Sequence, residues 1–118
     1  MQVSKWICMI GFLSTGICQA APQQEIEHLL GFVKTTPCQY ERNGTLHTGL
    51  EAVEHIQKKY DYFEDDIETA EDFIRYSATK SKMSGNKYRV LCGGQKPIYS
   101  QDWLLKELQL YRNSTMKE

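Results

Sequence analysis

The segment from Gln23 to Lys34 has apolar residues at the spacing of one helix face, with polar residues between them. Between Gln23 and Lys34, apolar side chains stand at positions i, i+3, i+4 and i+7 (Ile26, Leu29, Leu30 and Val33). This spacing puts them on one face and predicts an amphipathic helix of about three turns. The segment Thr35-Thr36-Pro37 is predicted to end it, because proline cannot continue a helix.

A second helix is predicted from Thr48, where Glu51 three residues later completes a capping box. Its apolar positions predict a buried stripe of Leu50, Val53, Ile56 and Tyr60. Charged residues at i, i+4 spacing on the flank of this helix predict an exposed face: Glu51, His55 and Lys59, and also Glu54 and Lys58. The acidic segment 61–66 that follows is predicted to be a loop.

Two more helices are predicted farther along the chain, each with a capping residue at its start. Thr69 caps the third helix, whose apolar face is Phe73, Ile74 and Ala78. Ser100 caps the last helix, Gln101 to Arg112, whose inward residues are predicted to be Trp103, Leu104, Leu108 and Tyr111. The polar residues 113–118 are predicted to be frayed.

Strand signals lie between the helices. Residues Cys38 to Arg42 alternate in direction, and Asn43-Gly44 favours a type I′ turn because both residues tolerate a positive φ. This turn predicts two cross-strand pairs, Tyr40 with His47 and Arg42 with Thr45. Tyr88 to Cys92 is predicted to be a third strand beside the hairpin. The expected fold class is therefore α+β, a small antiparallel sheet packed with about four helices.

The first 20 residues have the three parts of a secretory signal. Lys5 supplies the positive charge, Trp6 to Leu13 form the apolar core, and Cys18-Gln19-Ala20 is the small-residue exit. We expect cleavage after Ala20, export to the periplasm or secretion, and one mature domain from residue 21 to residue 118. A membrane anchor is the alternative, but the apolar run is well short of the roughly 20 residues that a bilayer requires. Lipidation of Cys18 is disfavoured by Ile17 just before it.

The cysteines predict a disulfide. Cys8 and Cys18 lie in or beside the signal, which leaves Cys38 and Cys92 as a pair. In an oxidising compartment such a pair is expected to be bonded. The bond would close a loop of about 55 residues and contribute roughly 4 kcal/mol in the chain-entropy model. A redox role is less favoured, because redox pairs usually stand close in sequence, as in Cys-x-x-Cys.

The charge balance argues against a polyanionic partner. The chain has 14 basic and 15 acidic residues, so loss of Lys5 with the signal leaves a net charge of −2. The basic residues are spread along the sequence, and neither nucleic acid nor an anionic membrane surface is an expected partner. We expect no cofactor and no transmembrane segment in the mature chain.

Several short motifs occur in an order that resembles one family. They are Tyr40-x-Arg42-Asn43-Gly44, Glu51-Ala52, His55, Lys59-Tyr60, Thr69-Ala70-Glu71-Asp72-Phe73-Ile74 and Ser84-Gly85-x-x-Tyr88. Together they resemble the domain of unknown function numbered 5329, a family of small exported bacterial proteins that includes the YfeK-like proteins. The resemblance implies a periplasmic α+β domain and carries no catalytic assignment. Lys80-Ser81-Lys82-Met83 departs from the serine run that is frequent in the family.

The strongest candidate for a binding site combines Arg42 and Asn43 of the hairpin, His55 of the second helix, and the loop Ser84-Gly85. Arginine presents a planar fork of donors that suits a carboxylate or phosphate, and histidine titrates near neutral pH. If these segments converge, they line a small cleft for an anion or a peptide. The alternative is structural: Arg42 pairs with an acid such as Glu51, and Ser84-Gly85 only bends the loop.

Two catalytic arrangements are weaker candidates. Ser84 with His47 or His55 would make a serine hydrolase, but the Gly-x-Ser-x-Gly elbow is missing. His47, Glu51 and His55 would make a zinc site, but their spacing is not that of His-Glu-x-x-His. A carboxylate pair for glycoside cleavage cannot be chosen from 15 acidic residues without geometry. We therefore assign no catalytic residue and no metal ligand.

Two classes of function remain. The favoured one is a non-enzymatic binding or interaction module of the cell envelope, whose partner is an envelope protein or a small ligand. The small size of the domain, its disulfide and the lack of a complete catalytic motif support this class. The alternative is a small envelope hydrolase that acts on peptide or glycan material.

Overall fold

The computed structural model of the protein describes residues 21–116, so the predicted export signal, Met1 to Ala20, lies outside the described residues. In chain order the elements are α1 (Pro22–Thr35), β1 (Gln39–Arg42), β2 (Thr45–His47), α2 (Gly49–Phe63), a 3₁₀ turn (Glu64–Asp66), α3 (Ala70–Ser77), β3 (Arg89–Leu91), β4 (Ile98–Tyr99) and α4 (Ser100–Met116). The predicted α+β class is confirmed. Between residues 21 and 116, no helix is long and apolar enough to span a membrane.

The strands form one antiparallel sheet in the order β2-β1-β3-β4. The hairpin has the predicted turn, with φ of 53° at Asn43 and 82° at Gly44. Both predicted cross-strand pairs are confirmed, Tyr40 with His47 and Arg42 with Thr45. The third strand lies beside the hairpin as predicted. Strand β4 was not predicted, because its two residues are too few to show an alternating pattern.

The disulfide between Cys38 and Cys92 is present, and the two Cα atoms lie 4.5 Å apart. The sheet register explains the pairing. Gln39 of β1 lies opposite Leu91 of β3, so the residues just outside this pair, Cys38 and Cys92, are also neighbours. The bond therefore fastens the entry of β1 to the exit of β3.

The core lies between the helices and one face of the sheet. Its buried apolar side chains come from all four described helices and from the central strands with their flanks: Ile26, Leu29, Val33, Tyr40, Ala52, Ile56, Ala70, Phe73, Ile74, Ala78, Tyr88, Val90, Leu104 and Leu108. A buried phenol needs a hydrogen-bond partner, and the Tyr40 hydroxyl lies 2.8 Å from that of Ser100. This contact joins β1 to the start of α4.

The predicted buried stripe of α2 is wrong at Leu50, whose exposed fraction is 53%. The helix instead turns Gly49, Ala52 and Ile56 inward. Gly49 sets this orientation, because a Cβ there would lie only 2.3 Å from the carbonyl oxygen of Val33. The amino end of α2 therefore packs closely on the end of α1, and position 50 is rotated out to solvent.

The same rotation corrects the prediction for the charged flank of α2. Glu51, Glu54 and Lys58 are exposed as expected, but His55 and Lys59 are half-buried. These two side chains lie on the side of the helix that faces the hairpin, where they contact β1 and the residue before β3. Their charge pattern was interpreted as a solvated face, and the tertiary packing makes it part of an interior wall.

Two helices extend beyond their predicted ends. Helix α2 continues to Phe63, so the segment 61–66 is not a loop. Phe63 packs on Tyr76 of α3, with ring centroids 5.3 Å apart, and this contact stabilises the extra turn. Helix α4 continues to Met116 because Arg112 in its last turns forms ion pairs with Glu25 of α1 and Glu71 of α3.

The corrected orientation of α2 makes a stability prediction. Leu50→Gln is expected to change the free energy of unfolding by less than about 0.5 kcal/mol, because the side chain is already in solvent. Ile56→Ala, at a position that is 2% exposed, is expected to cost about 2–5 kcal/mol. Urea unfolding of both variants measures the difference. A loss at Leu50 as large as that at Ile56 would contradict the orientation described.

Candidate functional site

The turn of the hairpin meets the loop that precedes β3. The side-chain oxygen Oδ1 of Asn43 accepts hydrogen bonds from Ser84 Oγ at 2.7 Å and from Asn86 Nδ2 at 3.3 Å. The loop is closed on itself by a hydrogen bond of 2.8 Å from the Gly85 amide to the Ser81 carbonyl. Gly85 has a φ of 77°, which favours glycine at this bend. These contacts hold the loop against the hairpin tip and beside α2.

The guanidinium of Arg42 lies between two histidines. Its Nη1 atom lies 3.3 Å from Nδ1 of His55, and its Nη2 atom lies 3.5 Å from Nε2 of His47. Within residues 21–116, Arg42 forms no ion pair with a carboxylate. The alternative pairing with Glu51 is therefore wrong. Glu51 accepts a hydrogen bond from the Thr48 amide at 3.0 Å, because it serves the capping box of α2.

The hydroxyl of Tyr88 connects the two half-buried basic residues of α2. Nε2 of His55 lies 3.1 Å from the Tyr88 hydroxyl, and Nζ of Lys59 donates to the same oxygen at 3.2 Å. Lys59 also donates to the carbonyl of Lys80 at 2.7 Å. Tyr88 itself is buried, so this network fixes the position of both basic groups relative to Arg42.

The local electrostatics disfavour additional positive charge. Burial, followed by the repulsion of Arg42 and Lys59, lowers the pKa of His55 to about 4, so the imidazole is neutral near pH 7. Burial, followed by the charges of Arg42 and Lys82, also lowers the pKa of Lys59. Both shifts have the sign expected for basic groups that are partly buried and repelled by neighbouring positive charges.

These residues line a cleft of about 380 Å³, which we call the basic cleft. Its lining includes five basic side chains: Arg42, His55, Lys58, Lys59 and Lys82. The aromatic and remaining residues of the lining are Tyr62, Phe63, Tyr88, Asn43, Ser81, Met83 and Ser84. None of the lining residues is acidic. The basic cleft is therefore a pocket of positive potential in a chain whose net charge is −1.

The structure brings together four of the five residues that the sequence suggested. Arg42, Asn43, His55 and Ser84 all line the basic cleft, whereas Gly85 lines a separate surface depression beside Lys87. Gly85 contributes the bend of the loop, as the structural alternative supposed.

Sequence reasoning missed several lining residues, among them Lys59, Lys82 and Tyr88. One signal was available on α2. His55, Lys58, Lys59 and Tyr62 stand at i, i+3, i+4 and i+7 and so share one helix face. No local signal marks Lys82 or Tyr88, which join the cleft only through the fold.

The two catalytic arrangements gain no geometric support. The hydroxyl of Ser84 donates to Asn43 and accepts from the Asn86 amide at 3.1 Å, and it has no hydrogen bond to a histidine in the described part of the chain. Among residues 21–116, no group of three or more His, Cys, Asp or Glu side chains is placed to hold a metal ion. His47 and His55 both contact the Arg42 guanidinium, whose charge would repel a metal cation.

Fold and site together define a small disulfide-bonded α+β domain with a basic, aromatic-walled cleft. The chain belongs to the family of unknown function DUF5329, whose profile matches residues 20–112. This match confirms the resemblance drawn from the ordered motifs. No curated protein and no solved structure matches the chain.

Proposed function

We propose that the protein is an exported, non-enzymatic binding module that holds an anionic group of its ligand in the basic cleft. One observation carries the proposal. Arg42, Lys59 and Lys82 line one cleft together with the neutral imidazole of His55, and this lining contains no carboxylate. Charges of one sign that face a concave surface focus the electrostatic potential there and attract a counter-ion.

The chemistry of Arg42 suits this role. Its guanidinium hydrogen-bonds only to imidazole rings among the described residues, so it keeps donors for an incoming carboxylate, phosphate or sulfate. Lys58 and Lys82 are exposed at the margin of the cleft and add long-range attraction. An anion bound to Arg42 would attract the positive charges of Arg42, Lys58 and Lys82 and so offset the repulsion between them.

Export is part of the proposal. Disulfides such as Cys38–Cys92 persist in oxidising compartments, which include the bacterial periplasm. Residues 1–20 carry the pattern of a secretory signal. A periplasmic or secreted domain of this kind would meet small ligands and envelope proteins, and either can present an anionic group to the cleft.

Sulfate titration tests the anion site. We expect Arg42→Gln to weaken sulfate binding about tenfold or more, because a charge-assisted hydrogen bond contributes roughly 1.5–3 kcal/mol. The matched control is Arg75→Gln, which removes the same charge from an exposed arginine of α3 outside the cleft. Calorimetry at low ionic strength and low chloride measures affinity, and circular dichroism checks that both variants are folded. Equal affinities for the two variants would contradict the site.

The same titration has a pH dependence of known sign. The pKa of His55 is lowered to about 4 in the free protein by burial and by Arg42, Lys59, His47 and Lys58. A bound anion offsets this repulsion and raises the pKa, so by reciprocity sulfate is expected to bind more tightly as the pH falls from about 6 towards 4, where the imidazole takes up its proton. Sulfate keeps its charge over this range, so the change reports the protein. His55→Gln is expected to flatten the profile, and an unchanged slope in that variant would exclude His55.

A further inference from the structure

The basic cleft is larger than an inorganic anion needs. Its volume of about 380 Å³ falls at the lower end of the range for small organic ligands, roughly 300–1,000 Å³. Besides the basic and polar groups around Arg42, the lining includes the large side chains of Tyr62, Phe63 and Met83. The ligand that fits this cleft therefore has a second part besides its anionic group.

Tyr62, Phe63 and Met83 form one side of the cleft, which we call the apolar wall, and two of these side chains are largely exposed to solvent. Tyr62 is 74% exposed and Met83 is 98% exposed, although both are large and apolar. Their neighbour Phe63 packs edge-to-face on Tyr62, and Nζ of Lys82 lies 5.0 Å and 5.1 Å from the centroids of the two rings. Cation–π contact with the two rings therefore keeps the positively charged ammonium of Lys82 at this wall. Met83 lines the same cleft, and a flexible methionine is well suited to cover an apolar group of variable shape.

The polar composition of the cleft narrows the ligand class. Because the lining has no acidic residue, an ammonium group would find no counter-charge among the basic side chains, and zwitterions such as free amino acids are disfavoured. Oδ1 of Asn43 is occupied by Ser84 and Asn86, while its amide nitrogen makes no hydrogen bond to the described residues. Asn43 lines the cleft, so this nitrogen is a donor that suits a carbonyl oxygen of the ligand.

Building on the proposed anion site, we propose that the ligand is the carboxyl-terminal residue of a peptide, or an N-acylated amino acid, with an apolar side chain. The carboxylate lies against Arg42, and the apolar side chain packs on Tyr62 and Met83. The acylated nitrogen carries no charge, and its carbonyl accepts from Asn43. A carboxyl group of this kind presents two oxygens to the guanidinium fork.

A set of small probes tests this assignment on the full mature domain. N-acetylphenylalanine is expected to bind about tenfold or more tightly than acetate, because burying an aromatic side chain is favourable. It is also expected to bind about tenfold or more tightly than free phenylalanine, which adds an ammonium, and than N-acetylphenylalaninamide, which lacks the carboxylate. Decanoate provides an anion and an apolar chain without an amide. Tighter binding of decanoate than of N-acetylphenylalanine would overturn the assignment to peptide.

Variants of the apolar wall give a second test. The double variant Tyr62→Ser with Met83→Ser is expected to lose most of the preference for N-acetylphenylalanine over acetate and to keep its affinity for sulfate. Both side chains are exposed, so the fold does not depend on them. Leu110→Ser, at an exposed leucine of α4 outside the cleft, is the matched control.

The outcomes separate this inference from the proposed function. If sulfate binds through Arg42 but N-acetylphenylalanine binds no better than acetate, the peptide assignment is wrong and the anion site stands. If neither sulfate nor any carboxylate probe binds, both proposals are wrong. Retained preference in the double variant would also overturn the role of the apolar wall.

Discussion

Replacing both Cys38 and Cys92 by serine is expected to lower the melting temperature by roughly 15 °C or more. The bond joins residues separated by 54 positions, and a loop of that length contributes about 4 kcal/mol through the entropy of the unfolded chain. A domain of about 100 residues is typically stable by only about 5–10 kcal/mol, so this loss is a large part of the total. Thermal unfolding followed by circular dichroism measures the shift.

Reductant provides the control for the disulfide prediction. Dithiothreitol is expected to lower the melting temperature of the natural sequence to nearly that of the serine variant, and to leave the variant itself unchanged. The bond fastens the start of β1, which ends at Arg42, so loss of order there is also expected to weaken sulfate binding. A melting temperature that is insensitive to both treatments would show that the bond adds no stability.

The second large effect is expected at Arg112, where Arg112→Met should lower the free energy of unfolding by about 3 kcal/mol. Arg112 donates to Glu25 at 2.8 Å and 3.0 Å, and to Glu71 at 2.7 Å and 3.1 Å. The side chain of Glu25 is only 7% exposed. Removing the arginine leaves this buried carboxylate without a partner, and such an uncompensated charge is strongly destabilising.

A double variant separates the cost of the orphaned charge from the value of the ion pair. Glu25→Leu combined with Arg112→Met removes both charges, and it is expected to recover most of the stability lost in Arg112→Met alone. Lys106→Met is the matched control, because it removes an exposed positive charge from the same helix. Urea unfolding measures all of these variants. If the double variant is no more stable than Arg112→Met, the loss comes from packing of the arginine side chain and not from Glu25.

Local signals were sufficient for much of the fold. Asn43-Gly44 predicts the hairpin and its register, because a two-residue turn with positive φ leaves one alignment of the strands. The caps at Thr48 and Thr69 were also predicted, and both side chains accept the expected backbone hydrogen bond. The disulfide followed from a count of the cysteines that remain after the predicted signal.

The errors arose where distant contacts decide the outcome. The exposure of Leu50 depends on how closely Gly49 approaches α1, and no periodicity within α2 contains that information. The last turns of α4 depend on the ion pairs of Arg112 with two other helices. Sequence patterns report which residues prefer a helix, whereas its orientation and its end are set by what packs against it.

The candidate site shows the same division. Arg42, Asn43, His55 and Ser84 were found because their residue types suggest chemistry and the hairpin places them near one another. The i, i+4 spacing of Glu51, His55 and Lys59 predicted that Lys59 is solvated. Its ammonium instead donates a hydrogen bond to the Tyr88 hydroxyl in the cleft. The absence of acidic residues from the lining became visible only in three dimensions.

The two outer strands of the sheet are very short, with three residues in β2 and two in β4. Each runs directly into a helix, so few unpaired backbone groups face outward at either margin. The edges therefore offer few backbone N–H and C=O groups with which a strand of a second copy could pair, even though Leu46 is exposed in β2. Resistance to fibril-like self-association at high concentration is thus built into the lengths of these strands.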